Sequence, residues 1–219
     1  MPARLRPTAP IAECAILVGD PGRALMLAQE LLEQPKMSNH ARGLWGYTGT
    51  AADGGELTIQ STGMGGPSAS VVLADLAELG VRRAIRIGTC ASLGDRGLGD
   101  LVIVREAHAE QGAFASPEAT KAPRPDVELT VALQDRLPEA RLGVVVSLDS
   151  LYRPERGLPS ALAELADMQT ASLFATAEQA EIAVAALLVV TEKSDAGQLR
   201  DEELEEAAKR VGRAAASVL

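Results

Sequence analysis

The feature that most limits the fold is a series of short, mostly apolar runs, each stopped by a glycine-rich or polar turn. Cys14 to Val18, Arg83 to Ile87, Leu101 to Val104, Leu142 to Ser147 and Ala185 to Thr191 have strand length, far below the roughly 18 residues of a membrane span. Several are apolar at consecutive positions, so both faces of each strand need cover. Between them, Arg23 to Glu33, Ser68 to Leu79, Val127 to Leu137, Pro159 to Leu165, Met168 to about Ala180 and Asp201 to Leu219 read as helices. Gly46 to Ala51 and Leu57 to Thr62 flank the turn Asp53-Gly54-Gly55 and read as a hairpin. His108 to Asp126, with Pro117, Pro123 and Pro125, reads as an irregular excursion. Strands alternating with helices predict a mostly parallel sheet covered on two sides, with ligands at the carboxyl ends of its strands. Over 219 residues no Pro/Ser-rich linker intervenes, so one domain spanning 1–219 is expected.

Charge narrows the partners. A formal net charge of −9 argues against a nucleic-acid groove or an anionic membrane, both of which need a surplus of Lys and Arg on one face. Any anion site must be local. Cys14 and Cys90 form no CxxC pair, which fits a reducing, cytoplasmic compartment, and no secretion signal or anchor is read in Met1 to Thr8.

Taken residue by residue, the candidate chemistry has plain alternatives. Gly19-Asp20-Pro21-Gly22-Arg23 joins a strand to a helix, so it is either an ordinary tight turn or an anion cradle made by the helix start and Arg23. Arg86 lies between apolar neighbours in a strand, where a guanidinium needs an anion: a bound one, or a carboxylate of the chain. Asp195 follows the last apolar strand, where partial burial would make it a general acid; it could equally cap the final helix. Cys90 has no imidazole partner in a motif, and two histidines with two cysteines at unrelated spacings make no metal set. Met64 and Met168 serve as core filler or as ligand contacts.

In order along the chain, Gly19-Asp20-Pro21-Gly22-Arg23, Arg42-Gly43-Leu44-Trp45-Gly46-Tyr47-Thr48-Gly49, Gly63-Met64-Gly65-Gly66-Pro67-Ser68, Arg86-Ile87-Gly88-Thr89-Cys90 and Ser194-Asp195 resemble the nucleoside phosphorylase family whose bacterial members are hexameric. The resemblance implies a single α/β domain with a central mixed, mostly parallel, partly barrel-like sheet flanked by helices on both sides. It implies phosphate held by Gly19, Arg23, Arg86, Thr89 and, from a neighbouring subunit, Arg42, so that a dimer completes the site and a trimer of dimers is the expected assembly. Met64, Asp167, Met168 and Gln169 resemble the sugar contacts. Cys90, Ala91, Leu151, Tyr152, Ala166 and Ser194 fall where the base is held, and Asp195 matches the acid that protonates a purine at N7. The implied reaction is phosphorolysis of purine nucleosides to free base and pentose 1-phosphate, with inorganic phosphate as co-substrate and neither cofactor nor metal.

Some positions depart from the family pattern. Gln169 stands where the family usually carries a glutamate for the ribose hydroxyls, which exchanges a charge-assisted hydrogen bond for a neutral one. Met1 to Pro10 contain no counterpart of the histidine lent to a neighbour's site. Two other readings therefore stay open: uridine phosphorolysis, to which Tyr152, Glu155 and Arg156 bear a faint resemblance, and a nucleoside- or phosphate-binding homologue impaired in catalysis.

Overall fold

In a computed structural model that describes residues 3–109, 122–150 and 163–219, β1 (Cys14–Val18) leads through Gly19 and Asp20 into α1 (Pro21–Leu31). There follow β2 (Glu33–Asn39), a 3-10 turn (Ala41–Gly43), β3 (Gly46–Thr50), β4 (Glu56–Ser61), α2 (Gly66–Glu78), β5 (Arg83–Ser92) and β6 (Leu101–Ala109). After the first undescribed segment come α3 (Val127–Arg136) and β7 (Arg141–Ser147); after the second, β8 (Leu165–Asp167), α4 (Thr170–Ala180), β9 (Ala183–Lys193), β10 (Gly197–Gln198) and α5 (Asp201–Ala216).

The strands form one mixed sheet in the order β10-β9-β6-β7-β8-β5-β1-β4-β3-β2. β5 also pairs with β9, so β9, β6, β7, β8 and β5 close into a ring from which β1, β4, β3 and β2 extend as an open wing. This is the partly barrel-like α/β arrangement expected. β1 runs parallel to both β4 and β5, with Val18 level with Ser61 and Ile87, so the carboxyl ends of β1 and β4 open on one side, beside the continuing second half of β5.

Residues alternate between two cores. Ala15 and Leu17 of β1 face α2 and α4, packing among Leu73, Leu76 and Phe174. Ile16 and Val18 face α1, α3 and α5, among Leu27, Leu129, Leu133 and Val211. Each of these large side chains is fully buried and contributes about 1.5–3 kcal/mol by leaving water. Cover on both faces is why the strands read as continuous apolar runs.

Four expectations need correction. Gly88-Thr89-Cys90-Ala91 is no turn: β5 continues through it to Ser92, because Gly88 serves a close approach. A Cβ on Gly88 would lie 2.6 Å from Arg86 Nη2. β2 was not expected, since Glu33–Asn39 is polar, contains Pro35 and forms a sheet edge. Leu165, expected at the end of a helix, begins β8; residues 159–162 lie outside the described segments. β6 and β9 outlast their apolar runs by several residues, ending at Ala109 and Lys193. Of the expected irregular excursion, His108 belongs to β6, 110–121 is not described, and 122–126 has no regular structure.

Candidate functional site

A cleft of about 430 Å³ opens at the carboxyl ends of β1, β4 and β5. Gly19, Arg23, Met64, Arg86, Thr89, Cys90, Ala91, Ala166, Asp167, Met168 and Gln169 all line it, so the structure brings together most of the residues singled out from sequence. Its other lining residues were not among the sequence candidates: Asp20, Pro21, Gly63, Gly65 and Gly88 lie in motifs already noted, whereas Thr191 and Glu192 do not.

Asp20 caps α1. Its Oδ1 accepts from Arg23 N at 2.7 Å and its carbonyl from Ala24 N at 3.1 Å, while Pro21 has no N–H to offer. The helix start is thus partly closed by its own cap, which leaves the Arg23 side chain as the stronger anion donor at this corner. That guanidinium is half-buried and makes no hydrogen bond or ion pair with a described residue. Burial pushes its pKa below the ordinary arginine value; Asp20 opposes the shift, and the like charge of Arg86 adds to it. Two guanidinium groups close enough to repel, one of them in no ion pair with a described residue, are what an anion would stabilise.

Arg86 is buried and fully oriented. Its Nη2 donates to Asp167 Oδ2 at 3.0 Å, Nη1 to Gln169 Oε1 at 2.6 Å and Nε to Thr170 Oγ1 at 3.1 Å. Of the two sources of negative charge weighed for this arginine, a carboxylate of the chain is present. Asp167 is correspondingly occupied: Ser147 Oγ donates to its Oδ1 at 2.5 Å, and Thr170 donates to its Oδ2 through N at 3.0 Å and through Oγ1 at 2.5 Å. Asp167 lines the cleft, where a sugar contact was expected of it, and each of its carboxylate oxygens already accepts from donors of the chain. Ser147, Thr62 and Thr170, none of them a candidate site residue from the sequence, complete the network; no local pattern could mark residues that meet only after folding.

On the opposite wall, Gly63 and Gly65 adopt positive φ and present Met64 to solvent, 82% exposed at the mouth of the cleft. Cys90 lies deep. Burial, with the Asp167 carboxylate adding to it, pushes its thiol far up, and Sγ donates to Val189 O, so it is no nucleophile at neutral pH.

Three expected residues stand apart from this cleft. Ser194 and Asp195 line a neighbouring pocket that shares only Ala91 and Glu192 with the first. Asp195 was expected to be partly buried; instead its side chain is 74% exposed and lies 3.9 Å from Lys193 Nζ, because β9 runs on to Lys193 and β10 folds back beside it. Nor does Asp195 cap α5, whose N-cap is Arg200. Arg42 is exposed on the turn between β2 and β3 at φ 61 and does not reach its own chain's cleft. Leu151, Tyr152, Glu155 and Arg156 lie outside the described residues.

A family model described as the phosphorylase superfamily matches residues 13–219. The chain is 32% identical to a guanosine phosphorylase of Halorubrum lacusprofundi, over 91% of this chain and 88% of that protein. It is 36% identical to a DeoD-type purine nucleoside phosphorylase of Oceanobacillus iheyensis, over 65% of this chain and 64% of the relative's length. A solved purine nucleoside phosphorylase of Toxoplasma gondii, in complex with immucillin-H, superposes with TM-score 0.82 at 24% identity, covering 95% of this chain and 89% of that one.

Proposed function

The chain belongs to the phosphorylase superfamily, among the nucleoside phosphorylases, and from that membership we propose that it cleaves the N-glycosidic bond of purine nucleosides with phosphate, giving free base and pentose 1-phosphate. The observation that carries this reading is the pair Arg23 and Arg86 facing one cleft, with Arg23 half-buried and making no ion pair with a described residue. A phosphate dianion between them would accept forked hydrogen bonds from both, with the Gly19 backbone and the Thr89 hydroxyl beside it. Held there, the dianion would stabilise the positive charge that develops on the sugar as the base departs, then form the new bond to C1′. No organic cofactor or metal has a task in this scheme; phosphate is the co-substrate.

The sugar would lie against Met64 and Met168, and the base against Cys90, Ala91 and Ala166, reaching past Ala91 toward the pocket that holds Ser194 and Asp195. Asp195 would then protonate the purine at N7 and improve the leaving group. Arg42 would enter from a second copy, which makes a homodimer the smallest complete unit and a trimer of dimers a further possible assembly. The reaction uses small soluble substrates and fits a cytoplasmic setting.

The test is turnover of inosine, adenosine, guanosine and uridine with and without phosphate. Purine release that needs phosphate is expected, with Arg23→Ala raising the phosphate KM by about tenfold or more. Asp195→Asn should reduce purine turnover and spare uridine. Turnover that ignores phosphate would point to water as nucleophile, and inosine binding in calorimetry without hypoxanthine release would point to a binding protein; either result defeats the reading.

A further inference from the structure

Gln169 is buried, and both ends of its amide are engaged by the protein. Nε2 donates to two main-chain carbonyls, Gly63 O at 2.7 Å and Gly65 O at 3.3 Å. Carbonyls accept and never donate, so they dictate which end of the amide faces them. Oε1 is thereby turned to β5, where it accepts from Arg86 Nη1 at 2.6 Å and meets the Thr62 hydroxyl at 3.1 Å. The resemblance to the family would treat this residue as a weakened sugar contact that an acid should improve. The geometry points elsewhere: we propose that Gln169 is a positioning residue, orienting the Arg86 guanidinium toward the anion, and that an acid at this position harms the enzyme.

Only an amide can donate on one side and accept on the other here. A glutamate would put an oxygen where Nε2 stands, 2.7 Å from Gly63 O with no proton between them. It would also add a second carboxylate to a guanidinium already paired with Asp167, cancelling positive charge that the anion needs. Among the described residues, the other charged groups lining this cleft are Arg23 and Asp20 at the start of α1 and Glu192 of β9, and none of them bonds to Gln169.

This inference rests on the phosphorolytic reading, and its test separates the two. Wild type, Gln169→Glu and Gln169→Met are compared in the full chain, varying phosphate and inosine in turn. A phosphate-positioning role predicts a phosphate KM raised about tenfold in both variants, with the inosine KM within about threefold of wild type. A sugar ligand predicts the reverse. A lower inosine KM in Gln169→Glu, or an unchanged phosphate KM in Gln169→Met, would overturn the proposal. If the glutamate variant does not fold, the methionine variant decides alone, since it keeps side-chain length without a buried charge. If wild type shows no phosphate-dependent turnover at all, the phosphorolytic reading fails instead. Calorimetric titration of wild type and Gln169→Met with inorganic phosphate still judges the role of Gln169: about tenfold weaker binding in the variant upholds it, and equal binding sinks it.

Discussion

Asp167 carries more of the site than any other single residue, because its carboxylate neutralises Arg86 and accepts from Ser147 and Thr170 at once. Asp167→Asn would leave a buried guanidinium without its charge partner, a class of change that costs about 3–5 kcal/mol. The expected outcome is a large drop in the urea midpoint measured without phosphate; a variant as stable as wild type would show that Arg86 finds its charge partner elsewhere. Cys90 gives a second residue-level expectation. Its folded-state thiol pKa is raised, chiefly by burial, so its contribution to stability is complete below the unfolded thiol's pKa of about 8.5 and is lost as pH rises above it. Stability measured from neutral to alkaline pH should therefore fall more steeply for wild type than for Cys90→Ala.

At the scale of elements, strands with both faces buried were readable because their composition states it: Cys14–Val18 and the core of Ala183–Lys193 can hardly be anything else. Glu33–Asn39 carried no such mark, since an edge strand meets water and tolerates Pro35. Leu165–Asp167 is too short to display a period, and its pairing depends on strands far away in sequence. That Gly19, Arg23, Arg86 and Thr89 share a cleft was legible in the motifs, whereas the partners of Arg86 were not: they lie 81 to 84 residues further on and meet it only across the sheet. The exposure of Asp195 was unreadable for a related reason, being set by how far β9 runs before β10 turns back. β5 supplies the prediction at this scale. A methyl group at position 88 would meet Arg86 Cζ at 2.7 Å and Leu188 Cδ2 at 2.9 Å, so Gly88→Ala must move the guanidinium or the neighbouring strand. Phosphate affinity should fall about tenfold while far-UV circular dichroism is retained; unchanged affinity would mean that Arg86 has other room to move.

For the whole molecule, the closed ring of β5 to β9 gives the cleft a rigid floor, and the open wing of β1 to β4 turns Arg42 away from it. The turn that carries Arg42 is well anchored: Asn39 Nδ2 donates to Leu44 O, and Gln60 Nε2 donates to Leu44 O at 3.0 Å. A guanidinium held outward on an anchored turn is suited to a neighbouring copy's cleft. Mixing tests this directly. On the proposed exchange of Arg42 between copies, Arg23→Ala would damage a chain's own cleft and Arg42→Ala only the cleft of its partner. Each variant alone should be poor at phosphorolysis. Co-refolded in equal amounts, half the dimers would be hybrids, each with one cleft that keeps its own Arg23 and receives an intact Arg42. Activity should then recover to roughly a quarter of wild type at a phosphate concentration near the wild-type KM, the share set by twofold exchange of identical surfaces. Recovery that never rises above the mean of the two variants would show that Arg42 acts within its own chain or not at all.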